Sequence, residues 1–249
     1  MGAKLPQLLQ DRVREVRLFM PRWGIVNDRR NQLHEVKRLT GMNIIIDDTD
    51  HMLIVKVSSL PTARGIQVFF TVNDEFFQRR QMLTDESGEE FADNPERAIF
   101  FARAVLEAVT KQNWMPDVIH CSGWMSALLP LYIKTAYRDA PPFINTKVVF
   151  SAFGDVPKRS GGSKLRRLLP FRSLTEDVLK EAGVDFAASD VLAQLALTYS
   201  DGFVQGQRNV AKKVMKLAGT KGLPVLEYPG AENLGDAYMG FYEQLCAAE

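Results

Sequence analysis

Leu5, Leu8, Leu9 and Val13 recur at helical spacing over Gly2–Arg14, and the apolar run Val16–Met20 follows directly, closed by Pro21. This pattern predicts a helix and then a strand. Ile44–Asp47, Leu53–Ser58 and Gln67–Thr71 are β-rich runs. They are separated by the turn signals Asp47-Asp48-Thr49-Asp50 and Leu60–Gly65, and they predict a small antiparallel β insert over about residues 42–72. From Asn94 to Gln112 the polar residues Glu96, Arg103, Glu107 and Thr110 share one stripe, while Ile99, Phe100, Phe101, Val105, Leu106 and Val109 fill the rest. A largely buried helix is expected there. Asn94 is its expected cap, Pro95 occupies the first helical position where no N–H is needed, and Glu96 lies at the positive end of the dipole.

Pro116 introduces the short strand Asp117–His120, and a Cys-Ser-Gly turn leads into the helical stretch Trp124–Tyr137. A strand is predicted at Lys147–Ser151. Helices are predicted at Leu174–Ala182, Ser189–Tyr199, Arg208–Gly219 and Glu232–Ala248, with strands at Gly202–Gln205 and Pro224–Glu227. Strands that are apolar without alternation, interleaved with helices, belong to a sheet covered on both faces. The expected fold is therefore α/β: a doubly wound, mostly parallel Rossmann-like sheet with the antiparallel insert, in one domain over residues 1–249. Val156–Ser173 carries Lys158, Arg159, Lys164, Arg166, Arg167 and Arg172 without an acidic residue, around Ser160-Gly161-Gly162-Ser163. It reads as a flexible basic loop.

Charge narrows the possible partners. Thirty-one Lys and Arg against thirty Asp and Glu leave a formal charge of +1, so no global field draws the chain to nucleic acid or to an anionic membrane. The longest apolar runs fall far short of the roughly 20 residues of a membrane span. Met1–Gln7 has no hydrophobic signal core, and the expected location is the cytoplasm. Cys121 and Cys246 stand far apart without CxxC or Cys/His spacing, so neither a zinc site nor a disulfide framework is indicated. No cofactor is expected.

The chemistry concentrates at Pro116–Tyr132. In parallel α/β sheets ligands bind beyond the carboxyl ends of strands, and His120 and Cys121 fall at such an end, with Ser122 placed to cap the following helix. The competing reading makes His120 a hydrogen-bonded core histidine and Cys121 a small buried hydrophobe. A Cys121 nucleophile assisted by His120 is disfavoured, because neighbours on a strand point to opposite faces. Gly161-Gly162-Ser163-Lys164 lacks the first glycine and the gap of a phosphate loop, and Asp47–Asp50 lacks the glycine and terminal glutamate of a calcium loop. No catalytic residue emerges.

Two long motifs in order carry a family resemblance. Phe91-Ala-Asp-Asn-Pro-Glu-Arg-Ala-Ile-Phe-Phe-Ala-Arg-Ala104, and Pro116-Asp-Val-Ile-His120 continuing through Trp124 to Tyr132, resemble the N-terminal domain of bacterial glycogen synthases and plant starch synthases, which are GT-B glycosyltransferases. Val16–Gly24 and Asp201–Gly206 are similar to further stretches of the family, and the likeness is greatest to short forms with little beyond this half. The resemblance implies one half of a GT-B fold and a family activity of retaining glucosyl transfer from a nucleotide-glucose, usually ADP-glucose, to an α-1,4-glucan without an obligatory metal. It points to Asp93, Asn94, Arg97, His120 and Trp124 as substrate-binding residues.

The departures from the family pattern matter too. Ser122 and Gly123 replace the family's second His and its Asp, and Ser151-Ala152-Phe153-Gly154 replaces its His-Asn. The family's first strand with its Lys-x-Gly-Gly loop falls before residue 1, and the second domain with the donor site falls outside the chain. Removing that strand leaves open backbone groups on its neighbours, so either another segment fills its place or the true start lies upstream, and Met1 is expected to be a late start. Three readings stay open: a synthase-family protein that is degenerate or completed by another chain, inactive alone; a noncatalytic glucan-binding or regulatory module; and a basic loop, Lys158–Arg172, that docks an acidic partner.

Overall fold

The computed structural model describes residues 4–61, 63, 65–154, 156–159 and 161–247. Parts of four expected elements lie outside them: Gly2 and Ala3 of the first helix, Thr62 and Arg64 of the Leu60–Gly65 turn, Ser160 of the basic loop and Ala248 of the last helix. The chain forms two units, one of residues up to 82 together with 229–244, the other of residues 83–228 together with those from 245 onward.

The first unit opens with α1 (Lys4–Leu9) and β1 (Arg17–Pro21). Next come β2 (His34–Glu35), a 3-10 turn at Lys37–Leu39, β3 (Met42–Ile46), β4 (Thr49–Ser59), β5 (Gln67–Val72) and the short α2 (Asp74–Phe77). β3 and β4 are an antiparallel hairpin whose two-residue turn, Asp47 and Asp48, has both φ angles positive, at 48° and 60°. Paired positive φ angles match the right-handed twist of the flanking strands, and aspartate is one of the residues that tolerate them. β5 is more than the last strand of an insert. It pairs antiparallel with β4 on one side and parallel with β1 on the other, and everything from Val68 to Val72 is buried. A strand with no polar face takes the middle of a sheet, which alternation alone does not predict. Phe19 stacks on Phe69 across the β1–β5 pair at 5.0 Å, and Pro21, which has no N–H to give a ladder, closes β1 at the sheet margin.

The second unit is built on α3 (Asn94–Gln112), β6 (Val118–Ser122), a 3-10 turn at Trp124–Ser126, α4 (Leu129–Lys134) and β7 (Lys147–Ala152). It continues through α5 (Gly162–Leu168), α6 (Glu176–Glu181), α7 (Val191–Thr198), β8 (Gly202–Gln205), α8 (Lys212–Thr220) and β9 (Val225–Leu226). α9 (Leu234–Ala247), which ends the described chain, belongs to the first unit as far as residue 244. β6, β7, β8 and β9 lie side by side in that order, all parallel. Each crossover therefore reaches the adjacent strand, and α3, α4, α7 and α8 pack in series against one another. Val148, Val149, Phe150, Phe203 and Val204 are buried between strands and helices.

α3 has the expected range but a different start. Asp93 holds the cap position without a side-chain bond, and Asn94 is already helical. The Asn94 oxygen is unavailable as a cap because it accepts a hydrogen bond from the Arg97 guanidinium at 2.7 Å. The stretch Trp124–Tyr137 divides, because Pro130 in the first turn of α4 has no N–H to continue the preceding turn and Thr135 ends the helix by bonding back to the Leu131 carbonyl at 2.6 Å.

Candidate functional site at the carboxyl edge of the parallel sheet

β6 and β7 run in register with Ser122 beside Ser151 and His120 beside Val149. The His120 ring reaches diagonally across, and its Nε2 shares a hydrogen bond with Ser151 Oγ at 2.5 Å. His120 is half-buried, and removal from water pushes its pKa down to about 4, so the imidazole is neutral near pH 7. Cys121, on the opposite side of the strand, is buried, and its thiol pKa is pushed up by the same cause. A thiol held protonated is no nucleophile.

The neutral histidine has a consequence for stability. The unfolded chain, with an ordinary histidine pKa near 6.5, binds this proton where the folded chain does not. His120's contribution is thus complete above about pH 6.5 and is lost as pH falls toward 4. The loss is at most about 3 kcal/mol, and less to the extent that water reaches the half-buried ring. Urea unfolding at pH 7 and at pH 4.5 should show His120→Gln flattening this decline; an unchanged slope would mean that the ring is ordinarily hydrated.

The turn after β6 differs from the expected one. Ser122 is exposed and remains in the strand, while Gly123, with φ 75°, holds the cap position; its N–H donates to the Ser151 carbonyl at 3.0 Å. Ser126 Oγ donates to the Gly123 carbonyl at 3.1 Å, and Trp124 is buried. The remaining expected site residues share the start of α3. Asp93 is half-buried and its carbonyl accepts from the Arg97 N–H at 3.0 Å; Asn94 and Arg97 are buried. Asn94 also donates through Nδ2 to the Leu83 carbonyl at 3.0 Å, and the Arg97 guanidinium lies over the Phe91 ring at 5.1 Å. The turn that holds Trp124 packs on α3.

The segment expected as a basic loop contains α5, with Leu165, Leu168 and Leu169 buried. Four of its basic side chains pair with acids of the same chain. Both Glu90 carboxylate oxygens accept from backbone N–H groups, of Lys158 at 2.6 Å and Arg159 at 2.9 Å. Arg159 pairs with Glu89, Lys164 with Glu96, Arg166 with Glu176 and Arg172 with Glu107. The Arg103 and Arg172 guanidinium groups lie over the Phe171 ring, 3.6 and 4.8 Å from its centroid. A lack of acids within the segment hid acids that arrive from elsewhere.

Sequence reasoning missed one contact at this edge. Phe153 follows β7 and Gly206 follows β8, and the Gly206 N–H donates to the Ala152 carbonyl at 3.0 Å. A glycine directly after a short apolar strand was the available signal. Among the described residues, no group of three or more His, Cys, Asp or Glu is placed to hold a metal ion, and no helix is long and apolar enough to cross a membrane.

A family model described as the starch synthase catalytic domain matches residues 1–226. The chain is similar to the glycogen synthase of Chlorobium luteolum, 39% identical over 150 residues, which are 60% of this chain and 30% of that protein. It is also 39% identical over 172 residues to the glycogen synthase of Chlorobium chlorochromatii, covering 68% of this chain and 35% of the relative. The matched stretches thus amount to about a third of the relatives' own length. Among solved structures, the catalytic domain of starch synthase IV from Arabidopsis thaliana, bound to ADP and acarbose, superposes with a TM-score of 0.67 at 16% identity. That match covers 90% of this chain and 46% of the other, a likeness of fold.

Proposed function

We propose a glucan-facing role for this chain, which belongs to the starch synthase catalytic domain family: it supplies the acceptor side of a glucosyl transfer and has no turnover of its own. The observation that carries the reading is the chemistry of the sheet edge. His120 is neutral and tied to Ser151, Cys121 is a buried protonated thiol, and Ser122 and Gly123 complete the turn. Hydroxyls and a neutral imidazole suit a polyol. They offer little to a departing nucleoside diphosphate, which is stabilised by positioned cations and N–H donors at several kcal/mol apiece. The pocket for the activated sugar, with ADP-glucose as the expected donor, then comes from polypeptide outside residues 1–249, whether continuous with this chain or separate. The starch synthase that shares the fold binds ADP and acarbose, ligands of these two chemical kinds. Of the residues singled out by the family motifs, Asp93 and His120 are half-buried and within reach of a ligand, whereas Asn94, Arg97 and Trp124 are buried and act by shaping the two turns.

Two measurements on the purified chain test this. Radiolabelled ADP-glucose and glycogen should yield no incorporation above a protein-free blank, and migration in a gel containing glycogen should be retarded. Label transfer by the chain alone would overturn the claim of no turnover; unretarded migration would overturn the glucan-facing role.

A further inference from the structure

Phe153 occupies an unusual place for an aromatic side chain. A Cβ added to Gly206 would lie 2.6 Å from two atoms of its ring and 2.7 Å from the Ala152 carbonyl oxygen, so the turn after β8 is glycine because the ring rests on it. A Cβ on Gly123 would lie 3.9 Å from the same ring. Phe153 therefore spans from the turn after β6 to the turn after β8, across the carboxyl ends of three adjacent parallel strands, which is where open α/β sheets bind their ligands. The arrangement is reciprocal: the Gln207 amide nitrogen would lie 2.6 Å from a Cβ on Gly154, so each turn sets a side chain on the other's glycine.

Phe153 is half-buried, so part of its surface stays open at the edge of the sheet; the exposed Ser122 is the last residue of β6, just before Gly123, and the Gln207 amide nitrogen sits at Gly154, the residue after Phe153. An aromatic side chain among turns that also carry a hydroxyl and an amide offers the two things a pyranose uses: an apolar face on which its carbons pack and partners for its hydroxyls. We infer that Phe153 is a stacking platform on which one glucose unit of an α-glucan packs, a specificity-determining contact that rests on the glucan-facing reading above.

The test uses the full chain in glycogen affinity electrophoresis, with maltoheptaose as competitor and a thermal melt of each variant. Phe153→Leu keeps an apolar side chain on Gly206 but removes the flat face, and Phe153→Tyr keeps both. The expected result is at least a tenfold weaker apparent affinity for Phe153→Leu and Phe153→Ala, retardation within twofold of the parent for Phe153→Tyr, and melting of the Leu variant close to that of the parent. A Leu variant retarded as strongly as the parent overturns the platform and leaves the glucan-facing reading standing. A Tyr variant that binds as poorly as Leu, while melting like the parent, also overturns it. A parent chain that glycogen does not retard overturns both.

Discussion

Replacing Gly24 with alanine is expected to lower the melting temperature by about 6–12 °C. Gly24 lies just beyond β1, and its N–H donates to the Arg79 carbonyl at 3.0 Å. A Cβ there would lie 1.9 Å from the Gln78 carbonyl oxygen, 2.7 Å from its carbon and 2.9 Å from the Arg79 carbonyl carbon. All three are backbone atoms, so no rotamer change can clear the overlap. The neighbourhood cannot yield easily either, since the preceding Trp23 is buried edge-on against Phe77 at 5.4 Å. Overpacking of this kind costs about 1–3 kcal/mol and sometimes more, and the distance puts Gly24 at about 3 kcal/mol. At roughly 2–4 °C per kcal/mol for a chain of this length, the stated shift follows. Differential scanning calorimetry of Gly24→Ala checks it. A shift below about 2 °C would show that the segment at Gln78 and Arg79 moves aside freely.

Arg97→Ala is expected to be about as damaging, and informative about what the family-like motif at the start of α3 does. Arg97 has no exposed surface; it donates to Asn94 and lies over Phe91. Truncation opens a cavity the size of a long side chain and leaves the Asn94 oxygen without this donor. Such changes cost about 2–5 kcal/mol, or on the order of 10 °C here. Lysine should not rescue, because a point charge cannot reproduce a planar guanidinium that both bonds and stacks. The readout is melting temperature together with retardation in glycogen. A variant that melts like the parent but is no longer retarded would make Arg97 a ligand contact and not an anchor of the Asn94 turn.

Much of the second unit was legible in the chain because its signals are local. The apolar surface of α3 is broken only by a narrow polar stripe, and β8 is a short run between clear boundaries, so both ranges follow from periodicity. What could not be read depends on partners distant in sequence. β5 looks like the end of an insert until β1 is laid beside it, 50 residues away in register from Arg17 to Gln67. The basic stretch after β7 looks unneutralised until Glu89, Glu90, Glu96, Glu107 and Glu176 arrive from other segments. At the site, the motif residues His120 and Trp124 could be named from sequence alone. The His120–Ser151 bond could not, nor the seat of Phe153 on Gly206, since each joins different strands or turns.

The first unit closes on itself through both ends of the chain. Lys4 donates to the Ala231 carbonyl at 3.1 Å, 227 positions away, and Arg12 pairs with Asp236 at a separation of 224. During synthesis the ribosome releases residues 83–228, most of the other unit, before the segment that completes the first one exists. Neighbouring strands in β6–β9 are linked by successive crossovers, so that sheet can assemble as it emerges, while the earlier-made portion waits for its last piece at the entropic cost of closing a very long loop. Of these two units, the one begun earlier is therefore completed later, and the nascent chain must keep the apolar β5 out of trouble in the interval.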